Sequence, residues 1–222
     1  MVVKHTPHTV YKLKDGTIVP SVTGIIGALG WDKEILLGWT RKMLRAGKDP
    51  LAYRDSAGAF GDLVHKYVET GDVGVTTDTI ELLSDAQRAD ALRAYTRYQE
   101  WAAQHHLTIQ DQELRLVSET YRFGGTIDAV AELDGAPTLL DVKTSSHISE
   151  AHRIQVAAYK HLYHDVHGIW LQPILLHLDR KGTEALEPYP MGPLEAEWEA
   201  FTLLLRLNEL KKTLSPFDFS DM

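Results

Sequence analysis

Cysteine is absent from this chain of 222 residues, which excludes disulfides, thiolate zinc sites, cysteine nucleophiles and iron–sulfur clusters. No apolar run approaches the roughly 18 residues that a membrane helix needs. The first residues, Met1 to Lys14, lack the apolar core of a secretory signal. No Gly-x-x-x-x-Gly-Lys-Ser/Thr loop is present either, so no P-loop motor is expected. These absences predict a cytoplasmic protein that has no membrane partner.

An excess of positive charge is also lacking, because the net charge is −8. This argues against a protein that coats duplex nucleic acid through bulk charge. The charge is uneven, however, and residues 33–54 contain six bases and two acids, a local balance of +4. Such a stretch is either a solvated helix face or a local surface for a polyanion. The aromatic residues nearby either pack in a helix core or stack on bases: Trp31, Trp39, Tyr53 and Phe60.

The chain changes its hydrophobic period near His106. Before this point, helical patterns and caps predict helices after Ser21, over 33–45, over 57–69 and from Ser84 to about 105. After it, strands are predicted over 107–118, 121–133, 137–143, 170–178 and 184–189, with helices over 149–164 and 193–214. The order predicts an α/β (α+β) fold with a mixed sheet flanked by helices. We expect one domain, 1–222, in which residues 1–106 are helical, residues 107–190 form a sheet core and residues 191–222 contain a C-terminal helix.

Two carboxylates are predicted to face each other on one hairpin. Asp134-Gly135 is a strong hairpin signal between two strands. Asp128 and Asp141 lie at equal distances on either side of this turn, so they become near-opposite partners. Like charges in this position are destabilising, and their burial is costly unless a cation lies between them. Hard oxygen ligands at close range suit Mg²⁺ or Mn²⁺.

Lys143 shares a strand face with Asp141, because side chains at i and i+2 point the same way. An ammonium there can steady charge on a phosphoryl oxygen or, with a lowered pKa, help to take a proton from water. The alternative is an ordinary ion pair on a surface strand. Gln155 and Tyr159, at i and i+4 on the next helix, either face the end of this strand or are polar residues on a mostly apolar helix.

His65 differs from the other histidines by its neighbours on a predicted helix. Gly61, one turn before it, allows close approach of a sheet or ligand. Glu69, one turn after it, is expected to orient the ring. The alternative is a structural or solvated histidine without a ligand role.

Taken together, four short segments resemble the motifs of the PD-(D/E)xK nuclease superfamily. They occur in the superfamily's order and most closely resemble its RecB-type branch, which includes phage and mitochondrial single-strand DNA exonucleases. Pro20-Ser21-Val22-Thr23 also resembles the entry of that exonuclease group. The nominal Pro-Asp is Ile127-Asp128 here. The four segments are Gly61…His65, Gly125-Thr-Ile-Asp128, Asp141-Val-Lys143-Thr144 and Gln155-x-x-x-Tyr159.

The resemblance implies a restriction-endonuclease-like core and a role for each matching residue. The implied metal ligands are His65, Asp128, Asp141 and the backbone carbonyl of Val142. The implied catalytic residues are Asp128, Asp141, Lys143, Glu113, Gln155 and Tyr159, with Glu119 as a competitor for Glu113. The residues expected to contact nucleic acid are Ser21, Thr23, Arg41, Arg45, Thr144, Gln155 and Tyr159.

The expected function is therefore a Mg²⁺- or Mn²⁺-dependent deoxyribonuclease, an exonuclease acting on single-stranded DNA in repair or recombination in a bacterial or phage-infected cell. Two alternatives remain open: a structure-specific endonuclease or nuclease subunit of a repair complex, and a non-catalytic nucleic-acid-binding module of the same fold.

Overall fold

The computed structural model describes residues 9–27, 30, 33–178, 180, 186–189 and 191–214. The helices are α1 Val22–Ile26, α2 Lys33–Arg45, α3 Pro50–Thr70, α4 Asp85–Gln104, α5 Glu150–His167 and α6 Glu195–Leu214. The strands are β1 Tyr11–Lys12, β2 Ile18–Val19, β3 Thr108–Ser118, β4 Phe123–Leu133, β5 Ala136–Lys143, β6 Gln172–His177 and β7 Pro188–Tyr189. A short 3₁₀ turn spans Ile80–Leu82.

The sheet confirms the predicted mixed α/β architecture. Its five strands lie in the order β3-β4-β5-β6-β7. The first three form an antiparallel meander, β6 runs parallel to β5, and β7 is antiparallel to β6. The helix α5 makes the crossover that a parallel neighbour requires.

Helices cover both faces of this sheet. The apolar side chains of α1, α5 and α6 pack on one face, around Ile127, Leu139 and Phe201. Those of α3 and α4 pack on the other face, around Leu140 and Leu176. β5 is the central strand of the sheet. Its carboxyl end therefore lies between two helical layers.

Helix α3, the last strand and the N-terminal hairpin differ from the sequence-based prediction. Helix α3 begins at Pro50 and not near Ala57, because the Asp49 side chain accepts a hydrogen bond from the Leu51 N–H at 2.8 Å and proline suits the first turn. The last predicted strand is limited to Pro188–Tyr189, and positions 184–185 lie outside the described residues. The small β1–β2 hairpin was not predicted.

No helix among the described residues is both long enough and apolar enough to cross a membrane.

Candidate active site

The hairpin turn sets the register that brings two carboxylates together. Asp134 and Gly135 adopt φ values of 49° and 84°, as a two-residue hairpin turn requires. The β4–β5 ladder continues from this turn to the pair Ala129↔Leu140. Asp128 and Asp141 occupy the next position of the same register. The ladder ends one residue before them, but Asp128 accepts a hydrogen bond from the Val142 N–H at 2.9 Å, so the two carboxylates lie close together as predicted.

Asp141 is a completely buried carboxylate beside a buried ammonium. Its relative exposure is 0%, and Lys143 Nζ lies 2.7 Å from its Oδ2. Lys143 is hydrogen-bonded to this carboxylate, whereas its Oδ1 has no hydrogen-bond partner among the described residues. Burial raises the pKa of Asp141 to about 6, against the lowering effect of Lys143. A buried carboxylate with one unpartnered oxygen is costly, and a further positive charge nearby would stabilise it.

Next to this pair, three side chains from three elements converge. His65 of α3, Glu113 of β3 and Asp128 of β4 each offer one ligand atom, and these atoms lie within 4.8 Å of one another. His65 Nδ1 is 3.7 Å from Asp128 Oδ2, too far for a hydrogen bond. The same Oδ2 accepts a hydrogen bond from the Val142 N–H at 2.9 Å. The N–H of Val142 thus fixes Asp128, whereas a ligand role for the Val142 carbonyl stays a prediction.

These donors fit a divalent cation. An imidazole nitrogen with two carboxylates is a set found with Mn²⁺ and similar metals, and Mg²⁺ accepts the carboxylates alone. The hydrogen-bond deficit of the neighbouring Asp141 is the independent observation that favours positive charge at this place. The grouping differs from the predicted ligand set, because Glu113 joins His65 and Asp128 while Asp141 is held by Lys143.

Glu113 owes its position to an unusual backbone. Its φ is +48°, in the left-handed region that glutamate rarely adopts. On one side of it, Gln112 donates to the Val68 carbonyl of α3 at 3.1 Å. On the other side, Leu114 packs with the opposite helical layer. Side chains two apart normally share a face, so β3 reverses its faces at Glu113, directly across from Asp128.

The electrostatics of Glu113 follow from this position. Loss of hydration, and then the nearby Asp128 carboxylate, raise the pKa of Glu113. Its competitor Glu119 lies elsewhere, because its Oε1 accepts a hydrogen bond from the Lys14 N–H at 2.8 Å. The structure therefore favours Glu113 as the third acid of the site.

The expected orienting role of Glu69 was wrong. Its Oε2 lies 2.8 Å from Lys66 Nζ on the same helix turn, and it makes no hydrogen bond to His65. The close approach expected at Gly61 is confirmed, since a Cβ there would lie 3.0 Å from Thr144 Oγ1. Gly61 thus lets the end of β5 contact α3.

Tyr159 is a buried residue that contacts β4 beside the site. It is 4% exposed, and a Cβ at Gly125 would lie 2.7 Å from its ring. Its hydroxyl accepts a hydrogen bond from Gln155 Nε2 at 2.9 Å. Burial raises the pKa of the Tyr159 phenol, which stays protonated. Its burial argues against the predicted direct contact with nucleic acid.

A lowered pKa for Lys143 was one possibility that followed from the sequence. The structure does not show it. Desolvation alone acts in that direction, but the carboxylates of Asp141 and Asp128 outweigh it, and the pKa of Lys143 is raised. The ammonium is therefore protonated at neutral pH. It can hold and stabilise negative charge, but it is not a ready proton acceptor.

The residues expected to contact nucleic acid lie on several elements. Ser21 caps α1 by accepting from the Gly24 N–H at 3.0 Å, and its bridge to Gly124 places it near the start of β4. Thr23 follows it in α1 and is exposed. Arg41 and Arg45 are exposed on α2, and no described carboxylate lies within ion-pair distance of either. Trp31 lies outside the described residues.

A cleft beside Thr144 contains residues that the sequence did not single out. Arg180 and Ser146 line it together with Thr144. The strand order could have pointed to these residues, because β6 runs parallel to β5 and Lys143 pairs with His177. Residues that follow β6 must therefore emerge beside those that follow β5.

Comparisons with known proteins assign no family to this chain. No family model and no curated protein matches the chain. Seventeen solved chains match. One of them, titled "Crystal structure of SSO0001", is 13% identical, covers 71% of this chain and 77% of its own length, and superposes with a TM-score of 0.36.

Proposed function

We propose that this protein is a divalent-metal-dependent deoxyribonuclease with a restriction-endonuclease-like core, and that it degrades single-stranded DNA from its ends. The observation that carries the proposal is the buried Asp141–Lys143 pair next to the cluster of His65, Glu113 and Asp128. The order of the motifs that resemble the PD-(D/E)xK superfamily supports the same reaction. The cell compartment that fits it is a cytoplasm.

The residues present would hold the metal and the reacting phosphate. His65, Glu113 and Asp128 would bind Mg²⁺ or Mn²⁺, with Asp141 adjacent. When bound, such an ion supplies charge stabilisation and a more acidic water. Phosphodiester hydrolysis adds water across the P–O bond, so that one oxygen leaves with a proton and the phosphorus gains a hydroxyl.

The chain's own groups divide the remaining work. Lys143, protonated and 14% exposed, would donate to a non-bridging phosphoryl oxygen as negative charge builds on it. The Gln155 amide nitrogen is committed to Tyr159, so its carbonyl oxygen is free to accept a hydrogen bond from the attacking water. The exposed Arg41 and Arg45 would hold the strand through its phosphates.

Asp141→Asn tests the proposal directly. The substitution keeps the shape of the side chain and removes its charge, so cleavage of 5′-labelled single-stranded DNA with Mn²⁺ should fall by at least about 100-fold. Asp134→Asn is the matched control, because Asp134 lies on the same hairpin at its exposed turn, where it contacts His105 and His106.

The two proteins should have the same circular dichroism spectrum. Cleavage by Asp141→Asn at the rate of the control would contradict the proposal. Circular single strands give the second readout: an exonuclease leaves them intact, and their digestion would assign an endonuclease instead.

A further inference from the structure

A cleft of about 530 Å³ opens beside the candidate active site, between the first half of α3 and the loop that follows β5. Its volume lies within the roughly 300–1,000 Å³ of typical small-molecule sites. Its lining includes Thr144, Ser145 and Ser146 of this loop, Tyr53 of α3, and Arg180. Gly61, one helical turn before His65, also lines the cleft, so the cleft lies beside the site.

The charge of the cleft favours an anion. Arg180 is its cation, and no carboxylate belongs to its described lining. The guanidinium lies 4.4 Å above the Phe60 ring, and its Nη2 donates to the Ser56 carbonyl at 3.0 Å. No described carboxylate forms an ion pair with Arg180. The positive charge is thus held in place by an aromatic face and a backbone oxygen, and it is left available for a ligand.

The loop that carries the hydroxyl groups is positioned as well. Thr144 Oγ1 makes no hydrogen bond to a described residue, and it lies over Gly61, where any larger side chain would touch it. The carbonyl of Ser145 is bonded to His177 Nε2 at 2.6 Å, which holds the loop against β6. Hydroxyl and guanidinium donors that line the same cleft are groups that contact phosphate oxygens.

An exposed aromatic ring completes the lining. Tyr53 is 52% exposed, and one side of it packs against Trp39, with ring centroids 5.6 Å apart. Ala57 and Gly58, on the next turn of α3, are too small to cover the ring from within the cleft. A half-exposed ring that a tilted neighbouring aromatic side chain holds in place can stack on a base.

We propose that this cleft is a nucleotide subsite, in which one nucleotide of the strand next to the scissile phosphate places its phosphate on Arg180 and Thr144 and its base on Tyr53. The inference rests on the proposed function and adds to it the recognition of a single unpaired nucleotide. Bases inside a duplex are stacked and paired on both sides, so such a subsite would favour an unpaired strand.

Equilibrium binding of fluorescein-labelled oligothymidylate measures this in the Asp141→Asn background, where the probe is not cleaved. Tyr53→Ala should weaken binding by about tenfold, as loss of one stacked base does, while Tyr53→Phe should bind like the parent. Arg180→Gln should lower the slope of log K against log salt by about 0.7, the value for one phosphate contact on a single strand. Arg88→Gln is the control, because Arg88 also donates to a backbone carbonyl but lies on α4.

Oligonucleotides with one abasic position supply an independent readout. In the parent, an abasic residue at one position should weaken binding by about tenfold, and in Tyr53→Ala the same lesion should have no effect. Since Tyr53 is exposed, this variant tests the proposal even if Arg180→Gln fails to fold.

Two failures are distinguishable. If the wild-type protein cleaves the DNA but Tyr53→Ala and Arg180→Gln bind it like the parent, the subsite is wrong and the nuclease stands. If the wild-type protein neither binds nor cleaves the DNA, the proposed function fails and the subsite fails with it. An equal loss in Arg88→Gln would also overturn the subsite, because the effect would then be general charge.

Discussion

Removing Lys143 should expose the energetic cost of the buried Asp141 carboxylate. The pKa of Asp141 lies at about 6 although Lys143 is beside it. Relative to the ordinary value of about 3.9, this shift corresponds to a cost on the order of 3 kcal/mol for the ionised form. Lys143→Met removes the nearest cation, and loss of one partner of a buried pair costs about 3–5 kcal/mol. We expect that loss in the free energy of unfolding at pH 8, without metal.

The sign of the pH dependence follows from the direction of the shift. An acid whose pKa is raised on folding binds more protons in the native state, so its ionisation lowers stability as the pH rises from about 4 through its native pKa. The deficit of Lys143→Met should therefore be largest at pH 8 and shrink towards pH 4, where Asp141 is protonated in the native state. Urea unfolding, followed by circular dichroism with a chelator present, measures it.

The double variant Asp141→Asn/Lys143→Met is the decisive control. Replacing both members of a buried ion pair by neutral groups is often neutral or stabilising, so the second substitution should restore at least about 2 kcal/mol. The reasoning is refuted if Lys143→Met unfolds like the wild type at pH 8, or if the double variant is no more stable than the single one.

Three further outcomes follow from the structure. His65→Ala should weaken Mn²⁺ affinity in a calorimetric titration by about tenfold or more, whereas the same change at the exposed His106 should not; equal affinities would remove His65 from the ligand set. Gly125→Ala should lower the unfolding free energy by about 1–3 kcal/mol, because its Cβ would come within 2.7 Å of Tyr159, and a thermal melt unchanged from the wild type would contradict this contact. The ring of His161 stacks on the indole of Trp198 with ring centroids 3.9 Å apart, and burial lowers the pKa of His161 to about 4. Acidification from about pH 6.5 to 4 should therefore lower the unfolding free energy of the wild type by roughly 1–2 kcal/mol more than that of His161→Gln, a value discounted because His161 is partly exposed.

The facing carboxylates were predictable because a two-residue turn fixes the register of a hairpin. Once Asp134-Gly135 is recognised, counting outwards places Asp128 opposite Asp141 without any knowledge of packing. Asp15-Gly16 is the same Asp-Gly hairpin signal. It did not lead to a predicted hairpin, because the strands beside it are only two residues long and leave no alternating pattern.

The β1–β2 hairpin explains why residue 124 is a glycine. The ring of Tyr11 packs on Gly124, where a Cβ would lie 2.4 Å from its Cγ, and its hydroxyl is 2.7 Å from Thr126 Oγ1. Both contacts join positions more than a hundred residues apart. Such long-range contacts leave no periodic trace in the sequence.

The beginning of α3 was predictable, but it was not predicted. Asp49-Pro50 is an N-cap followed by a proline at the first helical position. The extra turns matter for the site, because they carry Tyr53 towards the cleft. A local signal was overlooked here, whereas Glu69 was misassigned for a different reason. Its pairing with Lys66 or with His65 depends on side-chain conformations, which helical spacing alone does not select.

Glu113 shows most clearly what the sequence could not reveal. A regular strand would have placed Gln112 and Leu114 on one face, and Glu113 would have pointed to the other together with its neighbours two residues away. The left-handed backbone at Glu113 reverses the faces instead, at a cost of about 1–3 kcal/mol that glycine would largely avoid. The strain is maintained because β3 pairs with β4 on both sides of the reversal. The strand gains no stability from a glutamate in this conformation, whereas the proposed metal site would use its carboxylate, which lies across from Asp128 and within reach of His65.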